Sequence, residues 1–309
     1  MDGQDAGCLQ DETGGEEGAG AMIGTAACRG AATIVNAIAC GKGAAIGITL
    51  ETDVRLELER AEGDIIVEGA SEGSELVVGC VRAVAAKAGN EGTGGRATIR
   101  SNIPISRGLK SSSAVTNAVT LAASRALGVE LADESILDIA IDESIKARVT
   151  VTGAFDDAAA CFHGGVVVTD NVGRRILKSD GVAEELEVVV HVPARQIRKS
   201  EVDKSMFAHR RDGFEEALRL AMKGEYAAAI DLNSRLCSEI LDVPNDVAEA
   251  ARESGAYAAG ITGTGPATVI LCRKDRLRDV MDHIGPYEGE ILRARLNDTC
   301  SREVVPRLL

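Results

Sequence analysis

Residues 97–128 narrow the possible folds most. Ala97 to Ile103 reads as a strand that ends at Pro104, a loop rich in glycine and serine follows, and a helix runs from about Ser112 to Leu127. Val115, Ala118, Val119, Ala122 and Ala126 share one face of that helix, and Gly128 stands where helices are commonly closed. Such a strand–loop–helix unit needs a sheet for the helix to cover. Few aromatic side chains are on hand to fill the space between them. Trp is absent and aromatic residues make up 2% of the chain, so the core has to come from Ala, Val, Ile and Leu. The same scarcity removes the stacking platforms that single-stranded nucleic acids use. A net charge of −14 argues against a phosphate-backbone partner or an anionic membrane. Any phosphate chemistry must therefore rest on a local site.

A chain of 309 residues suggests about two domains. Met1 to Gly20 holds six acids, no bases and six glycines, and so residues 1–20 are expected to form a disordered acidic tail. Further on, Val54 to Leu58 alternates apolar with charged residues and Asp64 to Glu68 encloses a β-branched run, which together read as a strand pair. Helices are expected over Ser74 to Ala88 and over Asp133 to Lys146, with Asp133 as N-cap. Val166 to Thr169 and Glu187 to Val192 are strands, the second dense enough in valine to be central. Lys204 to Lys223, Glu225 to Leu241, Val247 to Ser254 and Arg276 to Ile284 are helical, and Ala267 to Cys272 and Gly289 to Leu296 are strands. The result is an α+β chain with an N-terminal domain at 21–183 and a C-terminal domain at 184–309, divided near Ala183 where the Asp180-Gly181 turn separates two strand groups.

The eight cysteines are scattered, with no CxxC pair, which fits reduced thiols in a cytoplasmic protein. No stretch approaches the roughly 20 apolar residues of a membrane span, and the acidic N-terminus lacks the basic start of a secretory signal. His163, His191, His209 and His283 show no metal or triad spacing and are read as structural.

The chemistry concentrates in Pro104-Ile-Ser106-Arg107-Gly108-Leu109-Lys110-Ser111-Ser112-Ser113-Ala114. A helix N-terminus offers unpaired N–H groups and the positive end of the dipole, which favours a bound anion. Gly108 lets the backbone come close to a ligand, the three serines add hydroxyls, and Arg107 and Lys110 add charge. A serine-capped helix would need only one serine and no glycine. The Walker signature G-x4-GK-[ST] occurs nowhere in the chain.

This stretch, Pro-x3-Gly-Leu-x-Ser-Ser-x-Ala, resembles the second motif of the GHMP kinases, the superfamily of galactokinase, homoserine kinase and mevalonate kinase. Gly153-Ala-Phe-Asp156-Asp157-Ala158 is similar to its catalytic-aspartate segment and Gly260-Ile-Thr-Gly263-Thr264-Gly265-Pro266-Ala267 to its C-terminal glycine loop. Gly30-Ala-Ala-Thr-Ile-Val-Asn36-Ala followed by Gly41-Lys42-Gly43 resembles its N-terminal motif. Ser-Arg-Gly-Leu-Lys-Ser-Ser-Ser with Thr-Gly-Ala-Phe-Asp-Asp is spelled as in the archaeal shikimate kinases, where other branches usually carry Gly at the place of Lys110. The resemblance spans about residue 22 to the end.

It implies a two-domain fold, with an N-domain like domain 2 of ribosomal protein S5 and a ferredoxin-like C-domain, the active site lying between them. It implies ATP- and Mg²⁺-dependent phosphorylation of the shikimate 3-hydroxyl, a reaction of aromatic amino-acid biosynthesis that needs alignment and charge neutralisation more than covalent chemistry. By this resemblance residues 104, 106 to 114 bind ATP, and Ser112 and Glu143 bind Mg²⁺. Asp156 is the catalytic carboxylate, and Lys42, Gly263, Thr264 and Gly265 line the substrate or glycine loop. Glu143 also stands out on its own, since it falls between Ile136 and Ile139 on an apolar helix face where a carboxylate needs a partner. Asp142 is the alternative. Asp157, beside Asp156, could raise one of the two carboxylate pKa values by like-charge repulsion.

One departure stands out. Ala31-Ala32-Thr33 occupies the stretch where the superfamily's first motif often presents a base, leaving Lys42, Lys110 and Arg107 as candidates for that charge. Arg107, Arg148 and Lys42 are equally open as partners of the substrate carboxylate. The partners expected are ATP and a small molecule, with neither nucleic acid nor membrane, and a homodimer is compatible. The rivals are another kinase of the superfamily, homoserine kinase foremost, and a non-catalytic nucleotide sensor on the same scaffold. A dinucleotide-binding oxidoreductase would need G-x-G-x-x-G, and Gly41-Lys-Gly43 reaches its third glycine, Gly47, one residue too late.

Overall fold

A computed structural model describes residues 21–69, 73–150, 153–182, 185–195 and 204–307. The expected acidic tail and the boundary at Ala183 lie outside these residues. The described residues form two sheets. The first contains β1 (Met22–Val35), β2 (Lys42–Glu62), β3 (Ile65–Glu68), β4 (Thr93–Ser101), β5 (Val166–Asp170) and β6 (Arg175–Asp180). Their order is β3-β4-β2-β5-β6, with β1 paired along β2. Four helices pack with it: α1 (Ser74–Lys87), α2 (Ser111–Ala126), α3 (Asp133–Lys146) and α4 (Phe155–His163).

β2 organises this sheet. Its first part, Lys42 to Ile46, pairs with β5, its second part pairs with β4, and β1 runs antiparallel along both. The β1–β2 register shifts twice, between Arg29 and Ala31 and between Thr33 and Val35. Such irregularities re-aim side chains, and the second one falls at a site residue described below.

The strands at 54–58 and 64–68 do not pair with each other, contrary to the sequence reading. β4 lies between them, and β3 runs parallel to it. The reason is the connection: α1 separates β3 from β4 in the chain, and a helical crossover returns the chain in the parallel sense. Two smaller differences concern helix ends. Asp133 is the first residue of α3, with Ala132 as the extended N-cap. The expected helix at 204–223 is divided into α5 (Lys204–Ala208) and α6 (Arg211–Lys223).

The second sheet comprises β7 (Leu186–Val192), β8 (Ala258–Ile261), β9 (Thr268–Arg273) and β10 (Glu290–Arg295), in the antiparallel order β10-β7-β9-β8. The valine-rich β7 is central, as its composition required. With α6, α7 (Tyr226–Leu241), α8 (Asp246–Glu253) and α9 (Leu277–Ile284), this is the ferredoxin-like arrangement. The segment after β10 leaves that sheet. Leu296 bridges to Ile48, Asn297 exchanges backbone hydrogen bonds with Gly47 and Gly165, and Arg302 pairs with Asp133 of α3. Residues 296–307 therefore pack on the first sheet rather than closing the second.

The shortage of aromatic residues leaves its mark on the packing. Ala114, Ala118 and Ala122 of α2 are fully buried, as are Ala26, Ala27 and Ala31 of β1. α2 comes so near β1 that a Cβ at Gly24 would overlap the Ala122 carbonyl. Small side chains thus hold helix and sheet at short range and fix where α2 begins. No helix among the described residues is long and apolar enough to cross a membrane.

Candidate active site

α2 begins without a side-chain cap. Its N-cap, Lys110, takes the left-handed conformation at φ 66°, and the first backbone bond of the helix runs from Ala114 N–H to the Lys110 carbonyl. The N–H groups of Ser111, Ser112 and Ser113 therefore point out of the helix end. Among the described residues nothing is hydrogen-bonded to the hydroxyls of these three serines. Gly108 is required twice over, by its φ of 84° and because a Cβ there would overlap the Thr262 carbonyl. Leu109 and Ala114 are buried in the core and anchor the loop. Arg107 points elsewhere: its guanidinium donates to the carbonyls of Ala194 and Arg195, clasping the loop to the segment after β7. Pro104 and Ser106 form the approach to the loop, Ser106 at φ 56°.

The left-handed turn at Lys110 sends its side chain inward. Its Nζ donates to Thr33 Oγ1 at 2.6 Å and lies 2.8 Å from Asp157 Oδ1. Thr33 Oγ1 also accepts from Gly263 N–H at 2.8 Å, while Thr33 N–H donates to Thr262 Oγ1 and Thr262 Oγ1 donates to the Gly108 carbonyl, both at 2.9 Å. β1, the serine loop and the C-terminal glycine loop are thereby closed into one network. The glycine loop is held in place by this network. Gly263, Thr264 and Gly265 are buried, and Asn36 Nδ2 donates to the Gly263 carbonyl at 2.9 Å.

Asp156 and Asp157 occupy the first turn of α4, after Ala154 in the left-handed conformation at φ 50°. The positive helix end favours both charges. Asn171, just beyond β5, grips Asp156 from two sides: its Nδ2 donates to Asp156 Oδ1 at 2.7 Å and its Oδ1 accepts from Asp156 N–H at 3.2 Å. The other carboxylate oxygen, Oδ2, faces Gly43, where a Cβ would overlap it. Burial, followed by the charge of Asp157, pushes Asp156 up to about 6 against the opposing pull of Lys110 and Asn171. At Lys110 burial works against the charged form, but attraction to Asp157 and Asp156 outweighs it and the pKa is raised. Lys110 is thus a buried, fully charged cation.

Other expected residues are placed apart from this cluster. Lys42 neighbours Gly43, and strand alternation turns it to the opposite face, where it stands across from Asp170. Asp142 is exposed and paired with Arg174. Arg148 is exposed on the turn after α3. Glu143 is buried, as its wheel position demanded, with Lys146 Nζ at 2.5 Å and its Oε2 against Gly79 of α1. No described contact joins it to Ser112 or Asp156. Thr33, Asn36 and Thr262 lie inside the quoted motif stretches but were given no role, and Asn171 lies outside them all, since the type of a Thr or Asn in a strand or turn does not say what it will face.

One histidine lies near other ligand-type side chains that its spacing did not show. His163, Asp133 and Cys300, remote in sequence, bring their ligand-type atoms within 4.8 Å of one another at the far end of α4. There Arg302 already pairs with Asp133 at 2.5 Å.

A charged, buried lysine and two buried carboxylates thus stand together at the mouth of an uncapped helix, a place suited to anionic groups. The sequence profile described as GHMP kinases N terminal domain matches residues 75–165, and that described as GHMP kinases C terminal matches residues 201–286. The chain belongs to the GHMP kinases. A protein of Methanothrix thermoacetophila named shikimate kinase is 39% identical over 91% of this chain and 96% of its own length. Another of that name, from Thermococcus kodakarensis, is 39% identical over 78% and 89%. Among solved structures, mevalonate kinase of L. major in complex with R-mevalonate superposes with a TM-score of 0.67 at 18% identity, covering 91% of this chain and 97% of that one. Homoserine kinase of Cytophaga hutchinsonii gives 0.69 at 17% identity, covering 89% and 96%. At such identities these two attest the fold alone.

Proposed function

We infer that this chain is a shikimate kinase, which transfers the γ-phosphoryl group of ATP to the 3-hydroxyl of shikimate, giving shikimate 3-phosphate and ADP. The reaction class rests above all on one observation, the buried Lys110–Asp157 pair beside Asp156 at the uncapped start of α2. The substrate rests on the similarity to the archaeal shikimate kinases.

The serine loop would receive the phosphates on the N–H groups and hydroxyls of Ser111 to Ser113. Lys110 has three N–H donors, and those to Thr33 and Asp157 leave one for a phosphoryl oxygen. As the substrate oxygen forms its bond to the γ-phosphorus, the bond from that phosphorus to the β–γ bridging oxygen breaks. ADP leaves with that electron pair, and Asp156 takes the hydroxyl proton. With its pKa at about 6, Asp156 is ionised at neutral pH yet a better base than an ordinary carboxylate. Mg²⁺, a hard cation that prefers oxygen donors, would be held by the partnerless Ser112 hydroxyl and would neutralise phosphate charge there; Glu143, the second ligand the resemblance implies, is engaged by Lys146 and would have to give up that pair to join it. The domain division at 21–183 and 184–309 and a cytoplasmic location complete the reading, with 296–307 folded back on the first domain.

The test is ADP release with shikimate, homoserine and mevalonate offered in parallel. Turnover with shikimate is expected. Turnover with homoserine alone would reject the substrate and keep the class, and binding of ATP without turnover of any alcohol would favour a sensor.

A further inference from the structure

We propose that Asn171 is the positioning residue of Asp156, and that it makes Oδ2 the oxygen that takes the proton. The proposal rests on the reading of Asp156 as base. Asn171 occupies the turn after β5, where an Asn side chain ordinarily bonds its own backbone and faces water. Here it is buried and turned inward. Its Oδ1 accepts from Asp156 N–H at 3.2 Å and from Thr169 Oγ1 at 2.7 Å, and its Nδ2 donates to Asp156 Oδ1 at 2.7 Å. Its backbone N–H donates to the Gly41 carbonyl at 2.9 Å, tying it to the turn that leads into Gly43.

These bonds make the amide orientation unambiguous. Asp156 N–H and Thr169 O–H both deliver hydrogens to one end of the side chain, so that end is the oxygen and the other end must donate. The donated hydrogen occupies Asp156 Oδ1. Oδ2 is left beside Gly43, whose missing side chain makes room for that oxygen. Asp in place of Asn171 would set a third carboxylate against Asp156 and Asp157, and an apolar residue would leave Oδ1 without its donor. The amide therefore does two things: it fixes the rotation of the Asp156 carboxylate, and it holds the pKa of a buried acid below what burial and Asp157 would otherwise impose.

Asn171→Ala is expected to lower kcat about 10²-fold, as misplacement of a reacting group does. It should also move the acidic limb of the kcat profile upward by about one pH unit, since the carboxylate loses a hydrogen bond to its charged form. ATP affinity, read by calorimetry, should stay within about twofold. Thr169→Val, which removes the hydroxyl's bonds to the Asn171 amide and to the Gly43 carbonyl but leaves the amide itself in place, should shift both quantities the same way by less, and it keeps the test open if Asn171→Ala does not fold. An unshifted acidic limb in the folded variant, Asn171→Ala or in its stead Thr169→Val, would overturn the proposal even if kcat falls, because a purely structural role lowers kcat without moving the limb. Asp156→Asn serves as the control. Should it retain turnover, the base itself has been misassigned, an outcome distinct from failure of Asn171.

Discussion

The two ends of α4 carry the same kinds of groups in opposite circumstances. At its start, Lys110 and Asp157 meet at 2.8 Å with side chains 4% and 7% exposed. At its finish, Arg302 and Asp133 meet at 2.5 Å with side chains 37% and 34% exposed, beside His163 and Cys300. On distance alone the second pair is the better salt bridge. Burial reverses the ranking of consequences. An exposed pair is screened by water and contributes little, whereas removing one partner of a buried pair strands the other charge in a low-dielectric interior. The buried end is also where pKa values move in a useful direction, with Asp156 pushed up to about 6 and Lys110 raised. At the exposed end burial lowers His163, which keeps that ring neutral at pH 7. One short helix thus separates a reactive cluster from a clasp that holds the C-terminal segment.

The sharpest way to break this contrast is at Asp156. Asp156→Asn should lower turnover by about 10²- to 10⁴-fold, the usual worth of a general base, while leaving ATP binding measurable by calorimetry. Near-normal turnover would move the chemistry elsewhere. Next comes the buried pair. Lys110→Met should abolish turnover and, by leaving Asp157 without its cation, destabilise the fold by about 3–5 kcal/mol in urea denaturation. A loss below about 1 kcal/mol would mean that the start of α4 behaves like a surface.

A subtler expectation concerns pH. The folded pKa of Asp156, about 6, lies above its ordinary value of 3.8. The protonated form is therefore favoured by the fold, and the stability it contributes is present below about pH 4 and lost as pH rises through about 6. Denaturation midpoints across that window should fall with rising pH at this group, and Asp156→Asn should flatten that component. Activity should run the other way, since the base must be ionised, with its acidic limb near pH 6. The smallest effect belongs to the far end of α4. Arg302→Ala removes a half-exposed ion pair and a guanidinium 6.0 Å from the Phe162 ring, and should cost about 1 kcal/mol with turnover unchanged.

Much of this was legible along the chain because it rests on neighbours in sequence. The helix at 111–126 is written in its alanine face and in Gly128, and the anion-binding start in Gly108 and the serines. The buried position of Glu143 follows from the apolar residues around it on the helical wheel. The central place of β7 follows from its valines. What could not be read along the chain shares one cause. Residues 54–58 and 64–68 look like a strand pair, but only the helix between β3 and β4 decides that they are separated by another strand. Lys42 was one of several candidates for the positive charge of the first motif, and only strand alternation shows that it lies on the face opposite Gly43. The closeness of His163 to Asp133 and Cys300 was equally illegible, because the three come from different elements.

By itself, then, the sequence determined the local conformations, the small-residue core, the anion-ready helix end and the two adjacent aspartates, since each depends on backbone preference or on residues a few positions apart. The tertiary structure alone decided which cation serves the aspartates, that the Thr33 hydroxyl stands in the stretch where a base was sought, and that an asparagine from a distant turn holds Asp156. Those outcomes depend on pairs 77 and 15 residues apart in the chain. Contact between such residues is set by strand register and helix packing, which no single stretch of sequence encodes.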